Sequence, residues 1–272
     1  TEIRFTFDTE KYSTIPCHLL IPKNAKKPVP VVICLQGHTS GMHISLGRVK
    51  EERDNFTLKF ENDFGIQAVK RGYAALIMEQ RCFGERADTR PERDMRPTIN
   101  ECAHATMTAL LLGRTMIRER VWDVSRVIDI LEKFDAIDMA RIGCMGNSGG
   151  GVITYFAGCM DERIKVSMPS GSVCNFYDSF MSIDHCVDNY IPHAYKYFEM
   201  GDLACLVAPR PMVVVAGTYD IEFPIEGAVK CFKKIKKVYE AFGCGDKCEL
   251  VVGEGGHKFY PALAWDVFDK YI

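Results

Sequence analysis

Apolar residues in this chain fall into short unbroken runs, separated by stretches where they recur every three or four positions. The continuous runs at 29–35 and 73–78 read as strands buried on both faces, and 164–168, 212–216 and 249–252 read as further short strands. Two earlier segments, 3–9 and 15–21, read as a hairpin-like pair ahead of Pro22. Between the runs the period changes. Val124, Val127, Ile128, Leu131 and Phe134 lie on one helical face, with Asp123, Arg126, Asp129 and Lys133 elsewhere. A helix is predicted over 58–70. Another precedes the last strand, with Ala228, Phe232, Ile235, Tyr239 and Phe242 inward and lysines 230, 233, 234, 236 and 237 on its solvated faces. Strands alternating with amphipathic helices imply an α/β fold, a mostly parallel sheet covered on both sides. No repeat, low-complexity tract or linker interrupts 1–272, so one domain is expected.

Composition narrows the function classes. Apolar residues make up 47% of the 272, enough for a sizeable core. The 34 basic and 36 acidic residues are interspersed, which argues against a nucleic-acid surface. No apolar segment approaches the roughly 18 residues that span a bilayer. Residues 1–5 lack a signal-peptide layout, although a chain starting at Thr1 can have lost a leader. Twelve cysteines without a C-x-x-C pair, three of them (Cys34, Cys144, Cys205) inside apolar runs, suggest buried, reduced thiols and a cytoplasmic setting. The seven histidines show no H-E-x-x-H spacing, so neither a metal nor another cofactor is expected. Monomer and homo-oligomer stay open.

The most informative segment is Gly146-Asn147-Ser148-Gly149-Gly150. It reads G-x-S-x-G, between a short apolar run and a small-residue stretch that suits a helix. That is the strand–turn–helix setting of a nucleophile elbow, in which Ser148 projects from a strained turn at a helix N-terminus. A serine needs a base, and the base needs an orienting carboxylate. In parallel sheets such groups gather at the carboxyl ends of strands. His257 leaves the last strand on Gly253-Glu254-Gly255-Gly256, and Asp220 follows the strand 212–216. Glu222 is a rival acid; Asp178 and Asp184 are more distant ones. The order Ser148, Asp220, His257 is that of α/β-hydrolases. The oxyanion hole is assigned to the backbone N–H groups of Gly149 and of His38, in the loop after the strand 29–35.

Four further segments carry a family likeness over nearly the whole chain. Leu35-Gln36-Gly37-His38 resembles an L-H-G oxyanion motif, and Glu79 to Arg86 resembles D-x-R-G-x-G-x-S/R. Ala208-Pro209-Arg210-Pro211 with Gly217-Thr218-Tyr219-Asp220 resembles an acid-bearing strand and turn, and Gly255-Gly256-His257 a histidine loop. Together they resemble the dienelactone-hydrolase-like and acetyl-xylan-esterase-like branch of the α/β-hydrolases. The resemblance implies the α/β-hydrolase fold and small acyl groups, such as acetyl esters of sugars or xenobiotics. Dienelactone hydrolases themselves use a cysteine nucleophile where this chain has Ser148, and Gln36 stands where a histidine is usual.

The stretch 172–202 fits no sheet-covering helix and is expected to arch over Ser148 as a small cap. Its aromatics either line a substrate pocket or form a satellite core beneath a long loop. Phe176, His185 and Tyr190 are the candidates for substrate contact, with Arg81 from the charged loop 81–96, itself either a pocket wall or a solvated loop. The expected activity is hydrolysis of a small-molecule carboxylic ester through an acyl-enzyme. Amidase chemistry on the same triad, or a non-catalytic protein keeping the fold, are the alternatives.

Overall fold

The computed structural model describes residues 1–87 and 101–272, so the predicted loop 81–96 lies partly outside the described residues. In chain order the strands are β1 (Glu2–Glu10), β2 (Ser13–Leu20), β3 (Val29–Leu35), β4 (Ala74–Met78), β5 (Ile137–Asn147), β6 (Ile164–Ser170), β7 (Met212–Gly217) and β8 (Cys248–Gly253). The helices are α1 (Glu52–Lys59), α2 (Phe64–Lys70), α3 (Glu101–Leu111), α4 (Met116–Leu131), α5 (Gly149–Met160), the single turn α6 (Ala194–Tyr197), α7 (Ile225–Ala241) and α8 (Pro261–Phe268).

All eight strands form one sheet in the order β1-β2-β4-β3-β5-β6-β7-β8. β1 pairs antiparallel with β2, and β2 with β4; the other pairs are parallel. With its flanking helices this is the α/β-hydrolase fold. Unbroken apolar runs form the inner strands because their alternate residues feed two cores. Val31, Ile33 and Leu35 of β3 enter one core with α4, α5 and α7. Val32 and Cys34 enter the other, with α2 and α8. Each fully buried aliphatic side chain of this kind contributes about 1.5–3 kcal/mol relative to an exposed one.

Register aligns the strand ends that matter. Leu35 sits beside Gly146, Asn147 beside Ser170, and Gly217 beside Gly253. The loops leaving β3, β5, β7 and β8 therefore open at one edge of the sheet.

Three local expectations change. The helix predicted over 58–70 is two helices, because Glu61-Asn62-Asp63 breaks it. Glu61 adopts a left-handed φ of 57°, the Asn62 amide donates to the Thr57 carbonyl at 2.9 Å, and the Gln67 amide donates to the Glu61 carbonyl at 2.7 Å. Such side-chain bonds compete with continued helix. Phe242 lies just beyond α7 and is exposed, while Ala228, Ile235 and Tyr239 are buried as expected. Cys205 is exposed, whereas ten of the twelve cysteines are buried; no disulfide occurs among the described residues. No described helix is long and apolar enough to cross a membrane.

Candidate active site

Ser148 stands between β5 and α5 with φ 57° and ψ −128°. A non-glycine residue holds such a conformation only when its surroundings over-determine it. Here the Ser148 N–H donates to the Ser170 carbonyl at 2.9 Å, and its own carbonyl accepts the Val152 N–H at 2.9 Å. The turn closes so tightly that a β-carbon on Gly146 would lie 2.5 Å from the Gly150 carbonyl oxygen. One on Gly150 would collide with the Leu35 and Gln36 carbonyls. The small residues around Ser148 are thus a steric condition of the turn. Gly149 opens α5, so its N–H is among the N-terminal donors that a helix leaves without an internal partner.

The loop after β8 brings His257 to Asp220, after β7. His257 Nδ1 lies 2.8 Å from Asp220 Oδ2. A carboxylate can only accept, so Nδ1 carries the proton and donates it, leaving Nε2 as the basic nitrogen. Asp220 is held in turn: its Oδ1 accepts the backbone N–H groups of Glu222 (2.9 Å) and Phe223 (3.0 Å). The Phe223 ring stacks on the imidazole, with centroids 5.9 Å apart. The two loops are laced together by the Thr218 N–H donating to the Gly253 carbonyl at 3.0 Å and the Tyr219 N–H donating to the Gly255 carbonyl at 2.8 Å. Burial alone would push His257 down. The hydrogen bond and charge of Asp220, with the charge of Glu222, more than offset it and raise its pKa above the ordinary value of 6.5.

His257 Nε2 has no hydrogen-bond partner among the described residues; the nearest carboxylate oxygen, Glu222 Oε2, is 3.5 Å away. Ser148 and His257 line the same cavity, of about 560 Å³. A triad hydrogen bond is often formed only once substrate is bound.

His38 lies opposite. Its ring packs against Gly149 so closely that a β-carbon there would be 2.9 Å from Cε1 and Nδ1. The two residues predicted to form the oxyanion hole are therefore neighbours. The loop carrying His38 is pinned from below: the buried Gln36 amide donates to Glu79 Oε1 at 2.8 Å, and Met42 N–H donates to the same oxygen at 2.9 Å. The His38 ring is fixed by Asp188, whose oxygens lie 3.1 and 3.2 Å from Nε2. Asp188 also pairs with Arg120 at 2.7 Å, and both charges are buried. Burial lowers the His38 pKa, but the Asp188 carboxylate outweighs it and pushes it up to about 9. The Asp188 carboxyl, despite its burial, is held far below the usual carboxylate range by Arg120 and His38.

The remaining expected contacts divide. His185 lines the cavity, with Nε2 bonded to Ser179 Oγ at 2.8 Å. Phe176 does not: it is buried against Phe180, Tyr195 and Phe198, a satellite core. Tyr190 turns its hydroxyl to the Phe180 carbonyl at 3.0 Å, off the cavity wall. Arg81 is also elsewhere, because three carboxylates hold it: Glu10 and Asp123, at 2.9 and 2.8 Å, and Glu119. Of the rival acids, Glu222 and Asp184 are on the cavity wall, and Asp178 pairs with Lys230. Sequence reasoning missed Asp188, Arg120, Glu79 and the wall from α1, Phe56 and Thr57. Arg120 alone left a signal, a charge four residues before Val124 on the apolar stripe of α4.

The chain is similar to several known proteins. The model of the Abhydrolase family matches residues 6–243. YtaP of Bacillus subtilis is 26% identical over 259 residues, covering 92% of this chain and 80% of that protein. A 4-O-methyl-glucuronoyl methylesterase of Phanerochaete carnosa is 27% identical over 235 residues, covering 74% of this chain. The chain spans about half of that relative's length, 55%. Among solved structures, a Bacteroides fragilis protein described as an acetyl xylan esterase superposes with a TM-score of 0.75 at 18% identity, covering 93% of this chain and 66% of that one.

Proposed function

Because the chain belongs to the Abhydrolase family, we propose that it hydrolyses a carboxylic ester through an acyl-enzyme formed on Ser148. The observation that carries this reading is a strained serine at a helix N-terminus, facing one cavity with a histidine whose far nitrogen is bonded to a buried aspartate. In this mechanism His257 Nε2 takes the Ser148 proton as Oγ attacks the carbonyl carbon. Asp220 keeps the imidazole in the tautomer that can do so and stabilises the imidazolium. The tetrahedral oxyanion is received by the N–H groups of Gly149 and His38. The imidazolium then protonates the departing alcohol, and a water activated by the same nitrogen releases the acid.

The wall of the cavity supports a choice of substrate class. Thr57, Asn62, Asp184, Asn189 and Glu222 offer polar groups to hydroxyls, while the exposed Phe56 and Phe60 add apolar surface. That mixture suits a sugar, and relatives named for glucuronoyl and acetyl xylan esters support it. We take the substrate to be a small-acyl ester, such as an acetyl ester, of a carbohydrate.

The test is hydrolysis of p-nitrophenyl acetate, butyrate and octanoate, an acetylated xylo-oligosaccharide and a uronic acid methyl ester. Activity should fall with acyl length, favour the acetylated sugar, and drop by about 10⁶ in kcat in Ser148→Ala. Undiminished turnover by Ser148→Ala would discard the serine mechanism. Preference for the uronic ester would place the sugar on the acyl side.

A further inference from the structure

Beside the oxyanion loop, three separate segments bring four metal-binding side chains together. His38 comes from the loop after β3, Cys102 from α3, and Cys186 and Asp188 from the stretch between β6 and β7. Their ligand atoms (one ring nitrogen, two sulfurs, one carboxylate oxygen) all lie within 4.8 Å of one another. A tetrahedral zinc ion with bonds of roughly 2.0–2.3 Å holds its ligand atoms somewhat closer than that, so side-chain adjustment on the order of 1 Å closes the shell.

We propose that His38, Cys102, Cys186 and Asp188 bind one zinc ion. The donor set selects the metal: two thiolates exclude magnesium and calcium, and imidazole with carboxylate completes a familiar zinc complement. Charge balance agrees. Two thiolates and Asp188 contribute −3, and zinc with the buried Arg120 contributes +3, so the pocket closes neutral. Arg120 keeps its bond of 2.7 Å to Asp188 Oδ2 and orients that carboxylate, as outer partners of metal ligands do. An entry path exists, since His38 and Cys102 both line a cavity of about 260 Å³. Histidine spacing in the sequence gave no hint of the site, because only Cys186 and Asp188 are close in the chain. Four protein ligands leave no open position, so the ion is structural and Ser148 remains the nucleophile. Its effect is to tie the backbone next to Gly149 to α3 and to the segment over the cavity.

The experiment uses the purified protein, dialysed against a chelator and titrated with Co²⁺, with Zn²⁺ added in competition. One ion should bind per chain, giving a thiolate-to-cobalt charge-transfer band that zinc abolishes. Cys102→Ser and Cys186→Ser should each lose intensity and bind at least about 10–100-fold more weakly, while Cys205→Ser, at an exposed thiol, keeps the band. No band or no stoichiometric binding by the wild type overturns the proposal, and so does that result arising from Cys102 and Cys186 joined as a disulfide. Unchanged affinity in both serine variants overturns it equally. If those variants fail to fold, the band and stoichiometry of the wild type still decide. None of these readouts depends on ester hydrolysis.

Discussion

His257 has Asp220 on one ring nitrogen and Glu222 on the side of the other, and both carboxylates raise its pKa. In the proposed role of general base it must be neutral, so activity should be lost as pH falls through that raised value. The acidic inflection of kcat/KM is therefore expected above 6.5. Glu222→Gln removes one negative charge, so the inflection should move down while kcat stays within a few-fold. Asp220→Asn removes the larger influence and the tautomer control, and kcat should fall by about 10⁴. A pH–rate profile that stays fixed in Glu222→Gln would remove that residue from the electrostatics of the site. Ser148, Asp220 and His257 were legible in the sequence because each immediately follows a recognisable strand, and strand ends converge in a parallel sheet. Phe176, Tyr190 and Arg81 lie off the cavity for the opposite reason. An aromatic or a charge in a loop has many partners to choose from, and here a satellite core, a carbonyl and three carboxylates won.

At the scale of elements, α4 carries a charge where its pattern calls for an apolar residue. Arg120 is buried and spends its donors on Asp188 and on the Arg81 carbonyl, at 2.7 and 2.8 Å, with its guanidinium 4.4 Å from the centroid of the Phe83 ring. Removing one partner of a buried ion pair leaves the other uncompensated, so Arg120→Met should cost about 3–5 kcal/mol. Urea denaturation measures this; a loss below about 1 kcal/mol would mean that Asp188 finds another partner. The apolar stripe of α4 was readable from its period, and so were α7 and the inner strands. The pairing of α4 with Asp188 was not, because no local spacing records which distant carboxylate will face a helix. The break between α1 and α2 was missed for a related cause. Periodicity registers side-chain polarity and not the bonds that the Asn62 and Gln67 amides donate to the Thr57 and Glu61 carbonyls.

For the molecule as a whole, the sheet is shared by two cores, one against α4, α5 and α7 and one against α2 and α8. Damage to either face should register in the same transition. Ile128→Ala in the first core should cost about 2–5 kcal/mol, and Trp265→Ala in the second about 3–5 kcal/mol. Ellipticity and intrinsic fluorescence should report one coincident midpoint in each variant; separate midpoints would mean that the two cores unfold independently. Strand number and direction were largely visible in the run lengths. The spatial order was not, since nothing local tells β4 to lie between β2 and β3. That order has a consequence for heat resistance. Ser148 is mounted beside β5, in the middle of the sheet, whereas Asp220 and His257 hang from β7 and β8, the last strand and its neighbour. An outermost strand opens more cheaply than an inner one, so the Asp220–His257 pair should drift away while the turn that holds Ser148 is still intact. Thermal inactivation should accordingly precede loss of secondary structure, with half-inactivation several degrees below the ellipticity midpoint and activity returning on cooling.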